Sequence, residues 1–363
     1  MDFKFLKNKR VLVTGCCGSV GSLLVEELLK TPVLELVGLD NNETELFFND
    51  QKYFNEPRMN TVLGDIRDVD RLTSLFKNID IVFHAAAYKH VGLCEKSPFE
   101  AVQTNINGVQ NIIAATLESN VQTVIFTSSD KGVNPTSVMG TSKLMGERLI
   151  TAAHADPRAR NKVFASTRFG NVLGSRGSVL PIFHRQIAKG GPITLTDPDM
   201  TRFIMTHEQA VKLVIETARI ARGGEVFVTK MPVVRIEDLA RVMIKILAPR
   251  YNSSPDSIDI KVIGTKPAEK MYEELMSHEE VGRTLELKDY FVVLPAFRGF
   301  FDSIEYKYQD VVSQTISMAY KSSKEQTLSI SQLEHFLVSQ NLLDKIDYES
   351  EIDHRLWPGE GGA

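Results

Sequence analysis

An acidic and a basic side chain stand next to each other at Asp130 and Lys131, straight after the apolar run Thr123 to Thr127. A carboxyl and an amine side by side can exchange protons with one substrate, provided burial moves both from their ordinary charge states, the acid upward and the amine downward. Exposed, the same residues would be a plain ion pair at a strand end. Ser128 and Ser129 precede them, and Lys143 follows four residues after Met139 on a stretch with helical spacing. Near the start, Thr14-Gly15-Cys16-Cys17-Gly18-Ser19-Val20-Gly21 spaces its glycines three apart. A loop of that kind cradles a pyrophosphate when it joins a strand to a helix.

The elements that must position these residues alternate along the first half. Strands are expected at Arg10 to Thr14, Leu34 to Leu39, Asn60 to Leu63, Ile79 to His84, Thr123 to Thr127 and Val163 to Thr167, with a further one at Glu225 to Thr229. Helical spacing lies between them, as in Val20, Leu23, Leu24, Leu28 and in Val109, Ile112, Ile113, Leu117. Strands apolar on both faces and separated by helices imply a parallel sheet covered on both sides. The fold class is α/β, a Rossmann-type doubly wound parallel sheet with a smaller substrate-binding α/β lobe. Helices are expected at His207 to Arg222, Val233 to Leu247 and Ile330 to Leu342.

In this setting Gly15 allows the tight turn, Gly18 lets a pyrophosphate approach the backbone, and Gly21 lets helix pack on strand; Ser19 and Val20 open the helix. The second strand ends at Asp40, whose carboxylate can accept both ribose hydroxyls of an adenosine. It would repel a 2′-phosphate, and Asn41 and Asn42 offer no cation to hold one, which favours NAD over NADP. Asp65 is placed to take the adenine amino group and Ile66 to pack its ring, while Ala85, Ala86 and Ala87 let a dinucleotide lie flat on the fourth strand's end. On this reading residues 1–172, completed by about 205–230, form the NAD-binding domain. Residues 173–204 and 231–345 form the substrate lobe, and 346–363 a tail.

Of the residues, 43% are hydrophobic and 24% charged, which excludes a disordered or low-complexity chain. Lys and Arg number 42 against 46 Asp and Glu, a net charge of −4 without blocks of either sign. Nothing there resembles a nucleic-acid or acidic-membrane footprint, so a small-molecule substrate is the starting expectation. The cysteines, Cys16, Cys17 and Cys94, fit neither a disulfide framework nor a four-ligand zinc site, and no metal is expected. The first strand starts too early to follow a signal peptide, and no apolar run is long enough to span a bilayer; a cytoplasmic location is the expectation.

Beyond these single features, several long motifs stand in order. They are Ala85-Ala86-Ala87-Tyr88-Lys89-His90-Val91, then Thr127-Ser128-Ser129-Asp130-Lys131-Gly132-Val133-Asn134-Pro135-Thr136, then the stretch from Thr167 to Val179 with Arg168-Phe169-Gly170-Asn171, and Asp197-Pro198-Asp199-Met200-Thr201-Arg202-Phe203. With the glycine loop and an Asn on the next helix, Asn105, the chain resembles the extended short-chain dehydrogenase/reductases, and within them the UDP-N-acetylglucosamine 4,6-dehydratases of bacterial modified-sugar pathways. The resemblance covers residues 8 to about 300.

A 4,6-dehydration oxidises C4 by hydride transfer, loses a C5 proton and the C6 hydroxyl as water, and returns the hydride to C6. It needs a base at the C4 hydroxyl, a base at C5 and an acid at C6. The resemblance makes Asp130 the acid and Lys131 the C5 base. The superfamily's usual hydroxyl base is a Tyr four residues before the Lys; here that position is Met139, which has no ionisable proton, so Ser129, Ser128 or Asp130 must help remove the C4 proton. Lys143 is expected on the nicotinamide ribose and Asn105 at the cofactor. Lys89, Asn171, Thr194 and Arg202 match positions that face the sugar nucleotide. Lys266 and Glu269 belong to a segment, Lys266-Pro267-Ala268-Glu269-Lys270-Met271-Tyr272-Glu273-Glu274-Leu275, similar to a family RPGEKxYEEL run but with Lys for Arg and Ala for Gly.

The reading is an NAD-dependent dehydratase of UDP-N-acetylglucosamine that retains C5 configuration. Alternatives are a C5-inverting or GDP-sugar dehydratase, or a non-catalytic NAD-binding protein. A homodimer or larger homo-oligomer is expected through the helices Phe99 to Ser119 and Met139 to Ala155.

Overall fold

The computed structural model describes residues 3–175, 178–265, 268–297 and 304–344. Lys266, Arg176, Gly177 and the tail 346–363 lie outside them. Six strands alternate with helices: β1 (Arg10–Thr14), β2 (Glu35–Asp40), β3 (Met59–Leu63), β4 (Ile81–His84), β5 (Thr123–Ser129) and β6 (Val163–Phe169). They pair in parallel in the order β3-β2-β1-β4-β5-β6, and the strand Val226–Thr229 adds in parallel beside β6. Direction of winding reverses between β1 and β4, which opens a crevice at the carboxyl ends of those strands.

Alternation along each strand supplies both faces of the core. Val11, Val13, Ile81, Phe83 and Ile125 face one way, packing with Leu24, Leu28, Ala210 and Val214. Leu12, Val82, Val124 and Phe126 face the other, packing with Val109, Ile112 and Ile150. Helices therefore cover both sides, as doubly apolar strands require. The helix His207–Ile220 is fixed at its start by a capping box between Thr206 and Gln209.

The chain forms two compact units, one of residues 1–172, 201–233 and 267–326, the other of 173–200, 234–266 and 327–363. Residues 267–326, expected in the smaller lobe, belong instead to the larger unit. Strands Thr284–Leu287, Tyr290–Val293 and Val311–Ser313 extend the main sheet antiparallel from Val226–Thr229, making ten strands among the described residues. In the smaller unit Ile193–Leu195 pairs in parallel with Ile260–Val262, beside the helices Val179–Ala188, Ile236–Leu247 and Ile330–Ser339. The helix expected from Val233 begins only at Ile236, because Val233–Arg235 is extended as a short strand. Among the described residues no helix is long and apolar enough to cross a membrane.

Candidate active site

At the end of β5 the chain turns through one helical turn, Asp130–Gly132, which Ser129 caps by accepting the Lys131 N–H. The Ser129 hydroxyl donates to Asp130 Oδ1 at 2.6 Å, and Lys131 Nζ lies 3.2 and 3.1 Å from the two Asp130 oxygens. The Lys131 side chain keeps 39% of its surface open whereas that of Asp130 keeps 4%, so the amine is the more accessible partner. Burial pushes the Asp130 carboxyl up, but the Lys131 ammonium and the Ser129 hydroxyl hold it below its ordinary value. Burial likewise pushes Lys131 down, and the charges of Asp130 and Glu273 raise it above its ordinary value. The expectation that burial alone would leave Asp130 protonated and Lys131 neutral is thus corrected, since opposite charges about 3 Å apart outweigh desolvation. Of the two serines, only Ser129 reaches Asp130; the buried Ser128 hydroxyl has no hydrogen-bond partner.

Against that turn packs the helix Val138–His154, capped by Ser137, whose hydroxyl accepts the Gly140 N–H. A Cβ on Gly140 would stand 2.2 Å from the Lys131 carbonyl oxygen, so glycine alone permits this approach. Met139 and Lys143 follow one helical turn apart, both buried. Lys143 Nζ donates to the Thr127 carbonyl at 2.9 Å, and burial lowers its pKa to about 8. Met139 clusters with Cys94 and Ala101. Asn105, expected at the cofactor, is used in bracing: its side chain accepts from Tyr88 N–H and donates to the Tyr88 carbonyl and to Ser142 Oγ. It ties the end of the β4 segment to the helix that carries Lys143.

The glycine loop meets the demands of a dinucleotide. Gly15 has φ +69°, and a Cβ there would lie 2.7 Å from Ala86 Cα, while one on Gly21 would lie 1.9 Å from the Gly15 oxygen. Helix Ser19–Leu29 starts at Gly18 with no side-chain cap, leaving its first turn of N–H groups facing the crevice mouth. Asp40 accepts from Cys17 N–H and Asn42 N–H, each at 3.0 Å, which fixes its carboxylate beside the loop. Asp65 is held by Arg67 and by Asn41 Nδ2, and Ile66 is buried against Gly108. Ala85, Ala86 and Ala87 are half-buried. Lys89 Nζ reaches Ser19 Oγ at 3.4 Å, which places it beside the glycine loop.

Two short strands, Asn171–Val172 and Thr201–Met205, pair in parallel and bring Asn171 and Arg202 to one carboxylate that the sequence reading passed over, Glu273. Arg202, expected to grip a diphosphate, directs its fork at Glu273 (3.3 Å), Glu269 (3.8 Å) and the Thr201 carbonyl. Thr194 lies in the smaller unit, bonded to the Gln186 amide. A second omission is Arg168, fully buried in β6, which pairs with Glu147 and Glu280 at 2.7 Å each and donates to the Leu275 carbonyl. It rivets the Glu273 segment to the sheet. Glu280 is pushed up by burial, yet Arg168 holds it down to about 2. The signals were an arginine inside an apolar strand and the acidic doublet Glu273-Glu274.

A Rossmann sheet carrying a glycine loop and an Asp-Lys pair at the end of β5 defines an enzyme of the nucleotide-sugar dehydratase and epimerase class among the extended short-chain dehydrogenase/reductases. The chain belongs to the polysaccharide biosynthesis protein family, whose model matches residues 11–295. It is 50% identical to an uncharacterized membrane protein of Methanocaldococcus jannaschii, over 80% of this chain and 87% of that one. It is 36% identical to the UDP-N-acetylglucosamine 4,6-dehydratase (inverting) of Campylobacter jejuni, over 80% and 84%; relatives equally distant carry the name UDP-glucose 4-epimerase. The X-ray structure of Pen from Bacillus thuringiensis superposes with a TM-score of 0.86 at 40% identity, covering 93% of this chain and 99% of Pen. The chain spans about half the length of some longer relatives, covering 46% of each.

Proposed function

We propose that this protein is an NAD-dependent 4,6-dehydratase of UDP-N-acetylglucosamine, forming UDP-4-keto-6-deoxy-N-acetylhexosamine as the first step of a bacterial modified-sugar pathway. The observation that carries the reading is the Ser129-Asp130-Lys131 contact chain, a hydroxyl, a carboxyl and an amine joined within 3.2 Å at the crevice end of β5. The Campylobacter relative acts on the same sugar by its name.

Gly15, Gly18, Ser19, Val20, Gly21, Asp40, Asn41, Asp65, Ile66, Ala85, Ala86, Ala87 and Lys143 would hold NAD, with Asn105 positioning Lys143. NAD held by these residues would supply the acceptor for the C4 hydride and its return to C6. The chain's own residues move the protons. Ser129 takes the C4 hydroxyl proton and passes its own to Asp130, replacing the phenol that Met139 lacks. Closure of a sugar over the 3.1 Å Lys131–Asp130 pair, by excluding water, favours the amine form of Lys131, whose proton leaves to solvent as the sugar docks, so that the proton Asp130 carries is the one received from O4 through Ser129. Lys131 then takes the C5 proton, acidified by the C4 ketone, and Asp130 protonates the departing C6 oxygen. Because the same amine returns the proton to the same face, C5 configuration is retained. The inverting relative supports a second reading, in which another donor protonates the opposite face. Lys89, Asn171, Thr194, Arg202, Lys266 and Glu269 remain the proposed substrate-side residues.

NMR of the protein incubated with UDP-N-acetylglucosamine tests this directly. A 4-keto-6-deoxy product is expected, its C5 coupling reporting the configuration. An epimerised sugar that keeps its C6 hydroxyl would overturn the reading.

A further inference from the structure

The glycine loop carries two thiols whose sulfurs take no part in holding a dinucleotide. Cys16 and Cys17 are both free, and their Sγ atoms touch at 3.8 Å. Their surroundings differ. Cys16 is fully buried, packed over β2 so closely that a Cβ on Gly38 would lie 3.0 Å from its sulfur, whereas Cys17 keeps part of its surface open. Two donors reach Cys17 Sγ: the Cys16 S–H, and Asn49 Nδ2 at 3.7 Å from the helix Glu43–Lys52. They hold the Cys17 thiol below its ordinary value, against burial and the charges of Asp40 and Glu45. The same contact, together with burial, pushes Cys16 up, so the proton between the two sulfurs stays on Cys16. An accessible thiolate beside an enclosed, protonated thiol is the arrangement in which one sulfur is oxidised and its neighbour resolves it.

The backbone between these sulfurs also positions Asp40. Gly15 N–H and Cys16 N–H donate to the Leu39 carbonyl at 2.8 and 3.3 Å, and Cys17 N–H donates to Asp40 Oδ2 at 3.0 Å. Joining the two sulfurs closes a small ring through the Cys16–Cys17 peptide. Adjacent Cα atoms stand about 3.8 Å apart, against the roughly 4.4 to 6.8 Å that an ordinary disulfide spans, so the peptide inside the ring must turn. Its N–H turns with it.

We propose that Cys16 and Cys17 are a site of reversible oxidation by a hydroperoxide, and that the disulfide formed there draws the Cys17 N–H off Asp40 and lowers the loop's affinity for NAD. The inference goes beyond the dehydratase reading and rests only on the loop's holding NAD. In the first step the Cys17 thiolate attacks one peroxide oxygen; an S–O bond forms, the O–O bond breaks, and the departing hydroxide takes a proton from solvent to become water. In the second, Cys16 Sγ attacks Cys17 Sγ; the S–S bond forms, the S–O bond breaks, and the oxygen leaves with the Cys16 proton as a second water. The thiols give up two electrons and the peroxide gains them. Thiol exchange reverses the step, and so tight a ring is easily reduced. Because the coupling is reciprocal, bound NAD must disfavour the disulfide by the factor by which the disulfide weakens NAD.

The test begins with calorimetry of NAD binding to the unaltered protein in dithiothreitol. Absence of binding would overturn the loop's cofactor role and this inference with it, whichever sugar the protein acts on. Hydrogen peroxide should then remove two hydrogens from the segment holding Cys16 and Cys17, read by mass spectrometry, while Cys94, buried in its own cluster, stays a thiol. NAD should bind at least about tenfold more weakly, the scale of a lost hydrogen bond to a charged group, and dithiothreitol should restore it. Cys17→Ser, which retains the backbone N–H, should keep its own NAD affinity through peroxide treatment. Cys16→Ala should stop at a Cys17 sulfenic acid that dimedone traps. In a glutathione redox buffer, saturating NAD should shift the unaltered pair toward the thiols. A pair that stays reduced in peroxide, or a disulfide that leaves NAD binding unaltered, would overturn the proposal with the dehydratase reading intact. So would an equal loss of NAD binding in peroxide-treated Cys17→Ser, because the oxidised group would then lie elsewhere.

Discussion

Arg168 Nη1 donates to the main-chain oxygen of Leu275 at 3.0 Å, joining the middle of the sheet to the segment two residues beyond Glu273. Its remaining donors go to Glu147 and Glu280, both buried. Arg168→Met would strand two carboxylates in the core and is expected to cost roughly 3–5 kcal/mol in denaturant unfolding. The pH dependence follows from Glu280, held at about 2 against an ordinary 4.5. A depressed carboxyl contributes stability that is complete above 4.5 and is lost as pH falls toward 2. The unaltered protein should therefore lose stability across that window, and the Met variant should show a shallower loss; equal slopes would contradict the assignment.

For the chemical pair, Lys131→Ala and Asp130→Asn should each slow turnover by roughly 10²-fold or more. Near-full activity in either would remove that residue from the mechanism.

Met139 fills a small buried cluster with Cys94 and Ala101 instead of offering a proton. Met139→Ala should cost roughly 2–5 kcal/mol through the cavity left. Met139→Tyr should not raise turnover, because Ser129 already reaches Asp130. A Tyr variant gaining tenfold, with a new pH dependence matching a phenol, would show that the site lacks an efficient base.

Asp40 is pinned by two backbone N–H groups beside the loop. Calorimetry should show NAD binding tighter than NADP, and Asp40→Ala should weaken NAD and narrow the preference. Equal or tighter NADP binding by the unaltered protein would refute the assignment.

Leu93, Phe99 and Met145 are 65%, 83% and 46% exposed around the two helices expected to pair subunits. Light scattering at micromolar concentration should report a homodimer or larger assembly, and Phe99→Glu should shift it toward monomer. A monomeric unaltered protein would contradict this.

The parallel half of the fold was legible because each strand is apolar on both faces and each helix keeps its own spacing, so β1 to β6 fall within two residues of their expected ends. The antiparallel extension was not, since Thr284–Leu287 and Val311–Ser313 are short and their pairing partners are set by tertiary contact. Asp130 and Lys131 were legible as neighbours in sequence. Their charge states were not, because these depend on a 3.1 Å contact and on Glu273, which a distant loop delivers. Asn105 and Arg202 show the same limit, their types being readable and their partners not.

Because the buried Arg168 guanidinium pairs with both Glu147 and Glu280, timing is built into synthesis. Chains emerge amino terminus first, and folding units form in that order. When β6 leaves the ribosome, Arg168 has Glu147 but must wait for the stretch around Leu275 and Glu280 to complete its shell. The same stretch brings Glu273. A nascent chain can therefore shape its glycine loop early, while the side of the site where Asn171 and Arg202 meet Glu273 comes together only after residue 280 has been added.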